Sequence, residues 1–439
     1  MTKGALEDMF LGNILLGGLP TLTHHSNPDF KAFRKIVQAT LTRSALTKSA
    51  PVFEHETALF LASLASNGLG VEMDIKPHVH RYSFSMILNI CFGLNLRELS
   101  DDFVQDFFDN TDLIFLLAGA ATDKLAFFPW MGLFPDPNVA RAKEVRKKGT
   151  AFISRLMGMT REKVAARDEG NLGKSLESKY ISDDEIKTGP ESVLELLLHT
   201  PSMTTGITDS SLTNMFNNLT VGAVDTVSIA IQWAFAFLAK YPDHQEALHT
   251  EMDALLARSR LPNLADEPYL PRLSAFLRES QRVRPVSATA VPRVTLSDQK
   301  WNGYTIPRGT WVMFDFHGLA RDEASYGSDG EAFRPGRYLD GDGAFLKGLD
   351  TFYKGLGDEV GSHPRGFSVG RRVCPGKDLA QMQLFMAIAQ AVQVFHVSAG
   401  ESGVNLDDMQ PGLTNPPRNL KIKLKERFPG ALDLLRNVA

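Results

Sequence analysis

A ten-residue stretch, Phe367-Ser-Val-Gly-Arg-Arg-Val-Cys-Pro-Gly376, constrains this chain more tightly than anything else in it. One cysteine, Cys374, stands between Gly370 and Gly376, with a basic pair ahead of it and a proline behind. From Leu379 to Phe395 apolar residues recur at helical spacing, which predicts a tight loop immediately before a helix. A thiolate is a far better metal ligand than a thiol. Free cysteine titrates near pH ~8.5 unless positive charge or a helix N-terminus lowers its pKa, and this loop offers both. Glycines also permit close approaches that a Cβ obstructs, so a flat macrocycle can lie almost on the main chain.

A haem meets that description, and thiolate ligation of its iron favours O–O bond cleavage. The stretch resembles the haem-binding signature of the cytochrome P-450 superfamily, aromatic-x-x-Gly-x-Arg-x-Cys-x-Gly, at every fixed position. The alternative is a buried, inert cysteine, the common fate of a lone thiol, and so many matched positions weigh against it. The resemblance implies a mainly α fold with a small β region, forming one cytochrome P-450 domain over residues 1–439. It implies haem b (iron protoporphyrin IX) with Cys374 as axial iron ligand and further cofactor contacts at Phe367, Gly370, Arg372 and Gly376. It also implies a small hydrophobic substrate, O2, and electrons from NADPH through NADPH-cytochrome P-450 reductase. In style the chain resembles fungal microsomal members of secondary metabolism, which sit at the endoplasmic reticulum membrane.

With 439 residues, 43% hydrophobic and 22% charged, the chain has ample material for a large core. Length alone suggests about three domains, and the resemblance replaces that expectation with one. A net charge of −4, from 47 basic and 51 acidic residues, gives no reason to expect nucleic acid as a partner. Cys91 and Cys374 are the only cysteines, so there is no disulfide framework. Cys91 lies in the apolar run Ile87–Gly93 and reads as core. Met9–Leu22 is apolar but broken by Gly and Pro, short of the ~20 residues that a spanning helix needs, and without a basic leader region. Family members carry an anchor, a first helix and sheet strands ahead of the helix that begins here at Pro28. The resemblance therefore implies an N-terminally short chain with no anchor of its own and a possible cytoplasmic location.

Pro28-Asp-Phe-Lys-Ala-Phe-Arg-Lys35 opens a helix expected to reach Leu46, with Phe30 and Arg34 one turn apart. It resembles the family's Pro-x-Trp-Arg-x-x-Arg helix, which would place Arg34 at a haem propionate with Phe30 where tryptophan is usual. Helical periodicity continues through Val52–Ser66 and His80–Leu94. The His78-x-His80 pair invites a metal reading, but no third ligand lies nearby and the two do not share a helix face. Phe103–Leu117 and the proline-punctuated Phe127–Pro135 read equally as core packing or as the region that shapes substrate access in the family. Asp168–Ser192 reads as an exposed loop.

Asn214–Lys240 runs 27 residues without proline, about 40 Å of helix at ~1.5 Å per residue. Within it Gly222-Ala-Val-Asp-Thr226 resembles the family's Ala/Gly-Gly-x-Asp/Glu-Thr motif, in which Asp225 and Thr226 would pass protons to dioxygen. A threonine hydroxyl bonded to the carbonyl four residues back is the plainer reading, and the two are compatible. Glu279 and Arg282, one turn apart, would join Arg337 of Phe333-Arg-Pro-Gly-Arg337 in the family's buried structural cluster. Arg293 would be a further propionate partner. Trp301–Thr310 reads as a hairpin, Thr310–Phe316 as β-prone, and Pro411–Pro417 as the family's terminal hairpin loop. Lys31, Lys35, Arg365, Arg371 and Lys377 would form a basic surface toward the reductase.

Three readings stand. The first is a monooxygenase, and the second a haem-thiolate enzyme catalysing desaturation, ring closure or rearrangement. The third is a truncated chain that holds haem poorly. Asp225 and Thr226 favour the first, and the short N-terminus alone supports the third.

Overall fold

The computed structural model describes residues 2–4, 14–15, 27–118, 128, 130, 133–168, 191–289, 291–346, 365–368 and 370–436. It is mainly helical with small sheets. Two compact units emerge. The first comprises Met1–Ser49, Phe84–Asp225 and Val291–Phe314; the second comprises Ala50–Ser83, Thr226–Ala290 and Asp315–Ala439.

In the first unit, helix α1 spans Pro28–Thr40. Asn27 caps it by accepting the Asp29 N–H at 2.8 Å, and the helix buries Phe30, Phe33, Ile36 and Val37 on one face. It stops before the expected Leu46. Leu41 leaves helical geometry and Thr42 is extended, so Arg43–Leu46 forms a separate turn.

The segment from His80 to Leu94 is also less regular than its periodicity predicts. A helix over Lys76–Ile87 passes into a wider π turn over Leu88–Phe92, closed by Gly93 at φ +64°. Cys91 is fully buried in that turn, and burial pushes its thiol up to about 12.

Helix α2, Asp101–Leu117, and helix α3, Pro137–Asp168, follow. Phe107 of α2 stacks between Phe84 (4.6 Å between centroids) and Phe152 of α3 (4.7 Å). That settles Phe107 as core. Phe128, Trp130, Leu133 and Phe134 are instead exposed, Leu133 by 85%, so these residues of the proline-punctuated stretch are not core. Of the expected Asp168–Ser192 loop, residues 169–190 lie outside the described residues. Helix α4, Val193–His199, starts with a capping box between Ser192 and Glu195.

Helix α5 spans Asp209–Lys240. It begins five residues earlier than the apolar run because Thr208 Oγ1 accepts the Ser211 N–H at 3.0 Å, an N-cap that periodicity alone does not reveal. It is the one helix among the described residues long and apolar enough to cross a membrane. Some 78% of its most apolar window is buried inside the protein, as expected of a core helix. The division between the two units falls within it, after Asp225.

The first unit's sheet joins β1 (Thr2–Gly4), β3 (Arg293–Thr295) and β6 (Trp311–Val312), all antiparallel, with Gly4 opposite Arg293 and Arg293 opposite Val312. A short N-terminal strand thus does join this sheet. Beside it β4 (Gln299–Trp301) and β5 (Tyr304–Ile306) form the expected hairpin. Its turn residues Asn302 and Gly303 both take positive φ, the geometry that two-residue hairpins require. The β-prone stretch to Phe316 yields only the two-residue β6, because Asp315 caps a helical turn over Phe316–Leu319 by accepting the Gly318 N–H at 2.8 Å.

In the second unit, helix α6 (Ala50–Ser66), helix α7 (Pro242–Leu256), helix α8 (Pro271–Val283) and helix α9 (Lys377–Val394) enclose the core. A second sheet of order β2-β8-β7 joins Glu72–Met73, Ile422–Glu426 and Phe395–Ala399. The loop at Pro411–Pro417 closes as expected, with Met409 bridged to Pro417. Asn415 locks it, accepting the Trp233 indole N–H on its carbonyl at 3.0 Å and the Ala288 N–H on its side chain at 2.7 Å.

Candidate active site

The cysteine loop folds from its own sequence outward. Arg365–Phe367 and Gly370–Arg372 form two 3₁₀ turns, and the Phe367 carbonyl accepts the Cys374 N–H at 2.8 Å. Ser368 and Gly370 both take φ +63°. For serine that conformation is strained, so surrounding structure must hold it. Pro375 and Gly376 then lead into α9, with Asp378 in its first turn, where a carboxylate suits the helix dipole. Gly376 keeps an ordinary negative φ, so its contribution is space. A Cβ added at Gly370 or Gly376 would meet nothing within 4 Å. Cys374 is only half-buried, in contrast to the enclosed Cys91. A reachable sulfur, a helix N-terminus two residues on and open backbone on both sides fit a flat, thiolate-ligated cofactor.

The rest of the second unit braces this loop. Glu279 of α8 is fully buried and accepts four hydrogen bonds: Arg282 Nε (2.7 Å), Arg282 Nη2 (2.8 Å), Arg337 Nε (3.0 Å) and the Arg334 N–H (2.7 Å). Burial works against the Arg282 charge, but the Glu279 carboxylate outweighs it and holds this guanidinium above its usual pKa. Arg282 also donates to the carbonyls of Ala320 and Gly330, each at 2.6 Å, and of Ala332 at 2.8 Å. Nothing in the sequence marked these acceptors. Gly330 is required for space, since a Cβ there would lie 2.7 Å from the Arg321 carbonyl oxygen. Helix α8 packs on the Arg365–Phe367 turn, which links the cluster to the cysteine loop.

On α5 the predicted pair separates by face. Thr226 is half-buried and continues a line of open positions with Gly222 and Ala230, four residues apart on each side. Asp225, one step of ~100° round the helix, is buried. A Cβ added at Gly222 would also meet nothing within 4 Å. Asp225 belongs to the first unit and Thr226 to the second.

Arg34 and Arg293 both lie in the first unit. Arg34 is half-buried on α1, one turn from the buried Phe30. Arg293 opens β3, with its guanidinium carbon 5.7 Å from the Phe314 ring centroid, and burial lowers its pKa. Phe367, Gly370, Arg372, Cys374 and Gly376 share one loop of the second unit. His78 meets the Ser63 hydroxyl through Nδ1 at 2.9 Å. Among the described residues no group of three or more His, Cys, Asp or Glu is placed to hold a metal ion.

The family model for cytochrome P450 matches residues 19–424. A cytochrome P450 monooxygenase of Armillaria gallica is 26% identical over 433 residues, which cover 96% of this chain and 77% of the relative. The steroid 17-alpha-hydroxylase/17,20 lyase of Gallus gallus is 27% identical over 371 residues, 84% of this chain and 68% of the relative. A cytochrome P450 monooxygenase of Ampulloclitocybe clavipes reaches 31% over 227 residues, 51% of this chain and 40% of the relative. Together with the cysteine loop and the Glu279 cluster, these matches establish that the chain belongs to the cytochrome P450 family, as a haem-dependent monooxygenase with the fold of that family.

Proposed function

We propose that this chain inserts one oxygen atom from O2 into a small hydrophobic substrate, with Cys374 Sγ as the axial ligand of haem b. The observation that carries the reading is a half-buried cysteine held at the start of α9 between glycines with open space. When bound, the haem supplies dioxygen activation and oxygen transfer. Phe367, Gly370 and Gly376 give it a close backbone bed. Arg372, Arg34 and Arg293 pair with its propionates, because buried carboxylates need cationic or hydrogen-bonding partners.

Thr226 holds a proton on Oγ1 for the reduction of dioxygen, and the buried Asp225 carboxyl replenishes it. A positioned donor contributes ~10²–10⁴-fold to such a step. Electrons come from NADPH through NADPH-cytochrome P-450 reductase, which meets a basic surface that includes Lys31, Lys35, Arg371 and Lys377. Of these, Lys31, Lys35 and Arg371 are exposed. The fungal relatives support a role in fungal secondary metabolism, and a microsomal reductase would bring the chain to the endoplasmic reticulum membrane. The steroid hydroxylase relative supports an apolar, ring-based substrate.

The test is the coupling of Thr226→Ala, with 5α-androstan-3-one as probe substrate. The variant should keep haem, thiolate spectrum and binding, yet form far less product per NADPH consumed and release the difference as hydrogen peroxide. Unchanged coupling would reduce Thr226 to a plain helix hydroxyl.

A further inference from the structure

Charge is unevenly spread over the outer faces of α2 and α3, which pack against each other in the first unit. Helix α2 buries Val104, Phe107, Thr111 and Ile114 and leaves Asp101, Asp102, Asp106, Asp109 and Asp112 exposed, with no cation anywhere in its length. Helix α3 buries Ala142, Val145 and Gly149 and leaves Arg141, Lys143, Arg146, Lys147 and Lys148 exposed over its first turns, with Glu144 the single acid among them.

Phe103 and Phe107 both stack on Phe152, at 4.2 and 4.7 Å between centroids, and a Cβ added at Gly149 would lie 3.4 Å from Asn110 Nδ2. Moving up α2 thus means moving back along α3, so the two helices run antiparallel. The acids before Asn110 occupy one end of the pair, and the cations before Gly149 occupy the other, where Asp112 is the one acid from α2. The later cations of α3 are committed within the chain. Arg155 lies 4.5 Å from the Phe103 ring centroid, Arg161 pairs with Asp209 at 3.1 Å, Lys163 donates to the Gly93 carbonyl at 2.7 Å, and Arg167 pairs with Glu195 at 3.0 Å. The cations from Arg141 to Lys148 have no such partner among the described residues.

Like charges four residues apart on a helix, as at Asp102 and Asp106 or Lys143 and Lys147, repel one another, and a facing opposite charge relieves this. A face that is acidic at one end and basic at the other is complementary to itself. A two-fold axis perpendicular to it lays the acidic end of each copy on the basic end of its partner. We infer that the outer face of α2 and α3 docks a second copy of this chain in a salt-sensitive, isologous dimer. Exposed ion pairs are individually weak, so this dimer forms at low ionic strength and comes apart as salt screens it.

The test is sedimentation velocity of the haem-loaded chain at ~10 mM salt, where charges act over ~30 Å, and at ~1 M, where they act over ~3 Å. Wild type should be dimeric in the first and monomeric in the second. One variant, Asp102→Lys with Asp106→Lys and Asp109→Lys, makes both ends of the face positive. A second, Lys143→Glu with Arg146→Glu and Lys147→Glu, makes both ends negative. Neither should dimerise alone at low salt, and an equimolar mixture should, because each copy then meets the opposite sign. Misfolding cannot produce that rescue. A monomeric wild type at low salt, a dimer indifferent to salt, a dimer that survives in either variant, or a mixture that stays monomeric would each overturn the inference.

Discussion

Replacing Glu279 with alanine removes all four hydrogen bonds that end on its carboxylate, leaving the nearly fully buried Arg282 guanidinium with no counter-charge and the nearly fully buried Arg337 with only Asp329, 3.5 Å away. Breaking a buried pair in this way costs ~3–5 kcal/mol. Domains are stable by only ~5–15 kcal/mol. At ~1.4 kcal/mol per decade, the folded-to-unfolded ratio should fall by two to four powers of ten. Because α8 packs on the Arg365–Phe367 turn, the loss should reach the cysteine loop and lower the haem bound per protein. Urea unfolding followed by far-ultraviolet circular dichroism gives the first quantity, and haem absorbance per protein gives the second. The control is Arg436→Ala, which breaks an exposed pair with Asp433 and should change neither. An unfolding free energy for Glu279→Ala within ~1 kcal/mol of wild type, the range of an exposed pair, would refute the argument that this cluster braces the loop.

Acidification should also destabilise the fold. Burial lowers the pKa values of His78, His244, His249 and His317, so below pH ~6.5 the unfolded chain takes up protons that the folded chain refuses, and stability falls with pH. His199, raised by its hydrogen bond to Glu191, acts in the opposite sense, and its contribution is lost as pH rises through its pKa. Four outweigh one: unfolding free energy should drop between pH 7.5 and 5.5, and His249→Gln should flatten the slope. Arg293→Ala and Arg372→Ala should lower haem affinity, measured by transfer to apomyoglobin; retention at the wild-type rate in both would remove them from the propionates. Charge reversal at Lys35 and Lys377 should slow reduction by the reductase and flatten its salt dependence. Rates indifferent to both changes would place the electron donor elsewhere.

Much of this was legible in the sequence where the chemistry is local. The cysteine loop, its following helix and the Glu279–Arg282 pair each depend on residues within a turn or two of one another, and spacing encodes that. What escaped was set at a distance or by the main chain. The carbonyls of Ala320, Gly330 and Ala332 that receive Arg282 leave no trace in side-chain identity. The π turn at Cys91 and the cap at Asp315 override a periodicity that points to regular helix and strand. The break at Leu41 likewise depends on backbone geometry rather than on hydrophobic pattern. Asp225 and Thr226 are adjacent in sequence, yet only burial along α5 separates the open position from the enclosed one.

The most direct test of the account is the absorption spectrum of the reduced protein under carbon monoxide, for wild type and for Cys374→Ala. Ligation through Cys374 Sγ predicts the strongly red-shifted Soret band of thiolate-bound haem in wild type and its loss in the variant. The same band persisting in Cys374→Ala would contradict the assignment on which the reading rests.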